Sequence, residues 1–261
     1  NTIFYINKMK FNLFVLILTF LWSSCTNNKT SLIKVSTEKN IKIKDSINNI
    51  ELELIIDPYR KEIKTLEKVI GYSKGSYSIR DSELESTLGN LIADILYKEI
   101  NIEFKKTELK ELDFALFNFG GIRGTLNKGK ITQHDLFTIM PWKNSATIVQ
   151  ISGKKVLELV EYINSENLAH PSSGLEIVFK NNDTTDIKIK QKRFDVSKNY
   201  YVLTSNFLQE GGDKMVFFAN PIELYSLNLN LREVLIKYIQ SKKEIIGKLD
   251  NRIIRLKWKE D

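Results

Sequence analysis

Apolar residues recur at helical spacing in four stretches of the chain. In DPYRKEIKTLEKVIG, Ile63, Leu66, Val69 and Ile70 share one face, and Gly71 marks a stop. Ser82 and Glu85 have capping-box spacing, and the stripe Leu84, Leu88, Leu91, Ile92, Ile95 and Leu96 predicts the clearest helix. Ser152 is placed to cap GKKVLELVEYI, where Val156, Leu159, Val160 and Ile163 line up, and LREVLIKYI predicts a late helix. Thr132 to Asp135 starts a short helical turn that ends before Pro141. The remaining apolar runs have strand length: DFALFN (113–118), SATIVQI, LEIVF, DIKIK, YYVLTSNF and RIIRLKW. TLNKGKIT reads as a tight hairpin turn around Asn127 to Gly129, and KNNDTTD as the turn between LEIVF and DIKIK. Helices and strands mix without a regular βαβ alternation. The expected class is therefore α+β, one domain with a mixed sheet and packed helices over residues 51–261.

The segment ahead of that domain differs in kind. Residues 26–49 are polar, rich in Lys, Ser and Asn, and lack Gly and Pro, so residues 25–50 read as a tether. Met9 and Lys10 precede the apolar run FNLFVLILTFLW, which gives way to SSC. That run is shorter than the roughly 20 residues that span a bilayer. A basic start, a short apolar core and small residues before a cysteine resemble a bacterial lipoprotein signal. The expectation is that residues 1–24 are upstream sequence plus signal, that Cys25 is lipidated, and that the protein is held at the cell envelope, periplasmic or surface-exposed.

Composition narrows the function classes. Of the 261 residues, 42% are hydrophobic and 27% charged, enough apolar matter for a sizeable core. The net charge of +7 comes from Lys and Glu interleaved along the chain, without a basic block or zinc-finger spacing, so no nucleic-acid partner is expected. A single cysteine excludes an intrachain disulfide.

Four irregular segments carry candidate chemistry. NFGGIRG places Arg123 after Gly120 and Gly121; glycines let backbone N–H groups converge on an anion, and a guanidinium offers a planar fork. MPWKNSA offers the flat face of Trp142 and the amide of Asn144. SNFLQEGGDK carries Phe207, the turn glycines Gly211 and Gly212, and Asp213, an acid suited to a ribose diol. HPSSGLE sets Gly174 ahead of a strand. Singly each is a turn; together they are an inventory for a nucleotide.

ESTLGNLIAD, DFALFNFGGIRGTLNKGKIT, PWKNSATIVQISGKKVLELVE and YYVLTSNFLQEGGD, in that order, resemble the C-terminal domain of the bacterial 5'-nucleotidase/UDP-sugar hydrolase family. The resemblance covers about residues 58–258. It implies that Arg123 contacts the phosphate region, that Trp142 and Phe207 clamp the base, that Asn144 and Gly174 contact it, and that Asp213 holds the ribose. Trp142 stands where the family usually has Phe, and Phe119 where a third glycine is common. Some members have further arginines before the LGN helix, and Arg80 lies nearby.

Full-length members resemble a metallophosphatase joined to this domain, with Asp-x-His and Gly-Asn-His-Glu motifs for two metal ions. Here the two histidines, His134 and His170, form neither motif. The resemblance therefore implies no metal and no cofactor in this chain, divalent ions on a separate metallophosphatase partner, a nucleotide or UDP-sugar-like substrate, and no hydrolysis by this chain alone. The alternative expectation is a non-catalytic nucleotide- or nucleoside-binding surface lipoprotein.

Overall fold

The computed structural model of the protein describes residues 49–180 and 183–256. The expected signal, Cys25 and all but the last residues of the tether lie outside them.

Along the chain the elements are α1 (Ile50–Leu66), β1 (Val69–Ser73), β2 (Tyr77–Ser78), α2 (Thr87–Glu108), β3 (Phe114–Leu116), β4 (Thr125–Leu126), β5 (Gly129–Thr132), α3 (Gln133–Ile139) and β6 (Ser145–Ser152). There follow α4 (Gly153–Glu166), β7 (Ser172–Ser173), β8 (Leu175–Lys180), β9 (Asp183–Ile189), β10 (Lys192–Arg193), β11 (Asn199–Ser205), α5 (Asn206–Gln209), β12 (Glu223–Asn230), α6 (Leu231–Lys242), β13 (Glu244–Ile245) and β14 (Ile253–Leu256). The fold is α+β, as the sequence pattern predicts. The central sheet has the order β12-β6-β11-β3-β7; only β11 and β3 run parallel in it. Smaller sheets have the orders β13-β1-β5 and β10-β9-β8-β14, and β2 pairs with β4.

Apart from the edge strand β12, the strands of the central sheet are buried along most of their length. Phe114, Ala115, Leu116, Ile148, Val149, Val202 and Leu203 are fully inaccessible. Each such large side chain withdrawn from water stabilises the fold by about 1.5–3 kcal/mol. The long helix α2 buries Leu88, Leu91, Ile92, Ile95, Leu96, Ile100 and Phe104 and packs on α6 and β7.

Several local expectations are corrected. The first helix starts earlier and stops sooner than its periodicity suggests, and Val69 and Ile70 belong to β1, where pairing with β5 and β13 outweighs helical spacing. No residue of α1 is buried, and no helix among the described residues is long and apolar enough to cross a membrane. The Ser82–Glu85 capping box does not form. Ser86 caps α2 by accepting from Gly89 N, while the Glu85 carboxylate accepts from Asn90 Nδ2, Asp250 N and Asn251 N. The capping box that does form is Thr132–Asp135, at the start of α3. The segments flanking Asn127–Gly129 do not pair with each other: β4 pairs with β2 and β5 with β1. The edge strand β12 was not expected from the sequence, although Tyr225, Leu227 and Leu229 alternate with Ser226, Asn228 and Asn230; near Asn228, with φ 51°, its pairing with β6 shifts register between Ser226 and Asn230.

The register of the central sheet gathers its irregular segments. Leu203 lies opposite Ala115, Ser205 opposite Ala146, Leu116 opposite Ser172 and Asn230 opposite Ser145. The C-terminal ends of β3, β11 and β12 and the N-terminal ends of β6 and β7 therefore meet at one end of the sheet.

Candidate nucleotide-binding site

At that end, β3 runs through Phe117 and Asn118 into a 3-10 turn, Phe119–Gly121. A Cβ on Gly121 would stand 2.5 Å from Asn118 Oδ1, so the glycine lets the Asn118 side chain lie against the turn. The turn is closed by Gly121 N donating to Asn118 O, and Arg123 N donates to Ile139 O at 2.8 Å. The loop is also anchored from behind. Phe119 N donates to Nδ1 of His170, a side chain 3% exposed, and the Arg80 guanidinium lies 4.9 Å from the Phe119 ring centre. Burial pushes the His170 imidazole down to about 4, against the smaller opposing effects of the Phe117 backbone and the Asp213 charge. It is therefore neutral near pH 7, as an Nδ1 acceptor must be.

The second wall follows β11. Ser205 caps the short α5, whose first turn carries Phe207. Gly211 has φ +90°, and a Cβ on Gly212 would strike the Phe207 ring at 2.5 Å, so these glycines let the chain fold back against the ring. Asp213 follows with φ 51°, tied by Tyr162 Oη donating to its carbonyl oxygen at 2.9 Å. Asn118 Nδ2 donates to Asp213 Oδ2 at 2.5 Å, joining the first wall to the second. The third wall, Pro141–Asn144, leads into β6 and presents Trp142, 53% exposed, to the cavity that Phe207, 43% exposed, also lines. The Arg123 guanidinium lies 5.5 Å from the Trp142 ring centre.

Together these residues line a cavity of about 340 Å³: Arg123, Trp142, Lys143, Asn144, Phe207 and Asp213, along with Asn118, Gly120 and Gly121. That volume lies within the range of small-molecule sites, about 300–1,000 Å³. The cavity offers two accessible aromatic rings, two cations and one carboxylate. Among the described residues no three His, Cys, Asp or Glu side chains converge as metal ligands. The donor set suits stacking, anion pairing and hydrogen bonding.

Of the six residues expected to contact the substrate, five line this cavity. Gly174 does not. It has φ +75°, its Cβ would stand 2.9 Å from Asp113 O, and it lines a separate cavity of about 690 Å³ with Asp250 and Arg252. Its positive φ and the close approach of the Asp113–Phe114 backbone account for this glycine. Gly211 and Gly212 shape the second wall rather than line the cavity. Sequence reasoning did not assign roles to Asn118 and Lys143, although each adjoins a residue it did single out. His170 was noted only as an isolated histidine, and nothing local marks it as a loop anchor.

Residues 69–220 match the family described as 5'-nucleotidase, C-terminal domain. The chain belongs to this family. Among curated relatives, Protein UshA of Escherichia coli K12 is 25% identical over 227 residues, 80% of this chain and 40% of the relative. An apyrase of Tabanus yao is 24% identical over 210 residues, 68% of this chain and 38% of the relative. The crystal structure of a 5'-nucleotidase precursor from Thermus thermophilus superposes with a TM-score of 0.67 at 23% identity, covering 78% of this chain and 43% of that one. The fold is thus that of the family domain, and the chain spans less than half the length of these relatives.

Proposed function

We propose that this chain is the nucleotide-recognition part of a 5'-nucleotidase that acts with a separate metallophosphatase on nucleotides outside the cytoplasm. The observation that carries the reading is the single cavity gathering Arg123, Trp142, Asn144, Phe207 and Asp213. On this reading the base stacks between Trp142 and Phe207, and Asn144 meets its edge. Asp213 accepts from the ribose hydroxyls; its Oδ2 already takes the Asn118 bond, which orients Oδ1 toward the sugar. Arg123, with Lys143 beside it, pairs with the phosphate. A divalent-metal centre on the partner would supply activated water and a clamp on the phosphoryl oxygens. This chain contributes binding and orientation, and Cys25 would hold it at the envelope.

The test has two stages. Calorimetry with AMP, UMP and UDP-glucose is expected to show binding. Adding a metal-dependent phosphatase encoded beside this protein is expected to give nucleotide hydrolysis that needs both components. Binding without any such activation would favour the nucleotide-binding lipoprotein reading. Absence of binding would remove both.

The base clamp makes its own prediction. Phe207→Ala is expected to weaken AMP binding by about 1–3 kcal/mol, the usual value of a base–aromatic stack, while ribose 5-phosphate affinity stays unchanged. Equal loss for both ligands would mean that the ring is not a base platform.

A further inference from the structure

Among the described residues, Arg232 is a buried cation without a carboxylate partner. It sits in the first turn of α6, is 8% exposed, and lies with its guanidinium 3.7 Å from the Phe137 ring centre. Its Nη1 donates to Met140 O at 2.8 Å and to Pro141 O at 3.3 Å, while its Nε finds no hydrogen-bond partner among the described residues. Burial lowers its pKa. A buried guanidinium is costly, and an apolar side chain of similar volume often does as well for stability. What an apolar side chain cannot do is donate to two consecutive carbonyls in an irregular loop.

Those carbonyls immediately precede Trp142. At the other end of the same loop, Leu231 N donates to Asn144 O at 3.0 Å, and Ser145 N donates to Asn206 Oδ1 at 2.9 Å. Asn206 adjoins Phe207. The loop bearing one aromatic ring is therefore held at both ends. One support is the start of α6, and the other is the residue next to the opposing ring.

Resting on the nucleotide-binding reading, we propose that Arg232 is a positioning residue that, with Asn206, fixes the separation of Trp142 and Phe207 before a ligand arrives. The pair makes the cavity selective for planar heterocycles. Without it the indole samples several orientations, and a stacked base has to order the loop on binding. The cost falls on the base subsite alone. Asp213 is tied by its own bonds to Asn118 and Tyr162, and the Arg123 backbone to Ile139 O ahead of the loop, so both keep their grip on a phosphorylated ribose.

The test compares AMP with ribose 5-phosphate in Arg232→Gln, Arg232→Lys and Asn206→Ala. AMP affinity is expected to fall on the order of tenfold in Arg232→Gln and Asn206→Ala, and ribose 5-phosphate to stay within about twofold, as expected when lost preorganisation is confined to one subsite. Lys retains a donor and is expected to recover part of the loss. Asn206→Ala serves if Arg232→Gln folds poorly. Parallel loss of both ligands, or of neither, overturns the proposal. A second readout is independent of nucleotide. With Trp22 and Trp258 replaced by Phe, Trp142 is the one indole left of three. Its fluorescence anisotropy is expected to be high in the wild type and low in the variants. Rigid-to-mobile behaviour without AMP binding would sink the functional reading and leave the positioning role intact; unchanged anisotropy would overturn the role.

Discussion

Arg252→Met is expected to lower the unfolding free energy by about 3 kcal/mol, the lower end of the range for removing one partner of a buried ion pair. Arg252 is 8% exposed. It donates from Nη1 and Nη2 to the two Asp94 oxygens at 2.8 and 2.9 Å, from Nε and Nη2 to the two Asp250 oxygens at 2.7 Å each, and from Nη1 to Ser172 O. Burial disfavours its charge, and the bonds to Asp250 and Asp94 more than offset this, raising its pKa above the ordinary value. Methionine fills much of the space but strands two adjacent carboxylates and a buried carbonyl. The lower end applies because the Asp94 and Asp250 side chains are themselves 44% and 31% exposed, so water screens part of the loss. Urea unfolding measures the change. Adding Asp94→Asn to the Arg252→Met variant is expected to recover part of it, by removing one stranded charge. A change below about 1 kcal/mol, the size of a surface pair, would mean that the network is solvated.

The second large effect is acid sensitivity centred on His170. Its folded pKa, about 4, lies below the ordinary 6.5. As pH falls, the unfolded chain takes up the proton first. Stability is thus unaffected above pH 6.5 and declines between about 6.5 and 4, by about 3 kcal/mol in total. Protonation also turns Nδ1 from acceptor to donor, so it breaks the bond from Phe119 N and releases the loop that carries Arg123. Tyr162, the Phe117 backbone and the Asp213 carboxylate face the ring, and Glu166 and Lys214 line the same small cavity; the Asp213 charge opposes the shift without cancelling it. The paired carboxylates Glu111 and Glu223 are held down to about 2 and weaken the fold only at lower pH. His170→Gln offers an acceptor that does not titrate. Its melting temperature is expected to stay flat from about pH 6.5 to 4.5, where the wild type declines. Identical slopes in the two proteins would assign the acid limb to other groups.

The sequence made the cavity legible where chemistry is written in short-range pattern. Gly120, Gly121 and Arg123 sit together because a tight turn and a cation are needed at one point, and the same holds for Phe207 through Asp213. The α+β class and the cores of α2, α4 and α6 followed from apolar spacing. What stayed illegible depends on distant partners. Val69 and Ile70 satisfy helical spacing yet form a strand, because β5 and β13 supply ladder bonds. Thr125 to Thr132 contains hairpin chemistry, but its two strands belong to different sheets. Glu85 caps no helix because the backbone of Asp250 and Asn251 claims its oxygens. Arg232, Asn206 and His170 act on main-chain groups far away in the chain, and no local spacing announces such contacts. Gly174 is expected at the base only through the family resemblance, whereas its positive φ and the approach of Asp113 explain its place in the fold.

All walls of the cavity hang from one end of the central sheet, the element with the most completely buried strands. Such strands exchange their amide hydrogens through the largest openings of a protein. A molecule held in the cavity touches the residues that follow β3 and β11 and those that precede β6, so it cannot remain bound once that end of the sheet frays. Occupancy is therefore linked to the whole sheet rather than to its loops. Slowed deuterium uptake would spread inward along β3, β6 and β11, into residues that no ligand atom reaches.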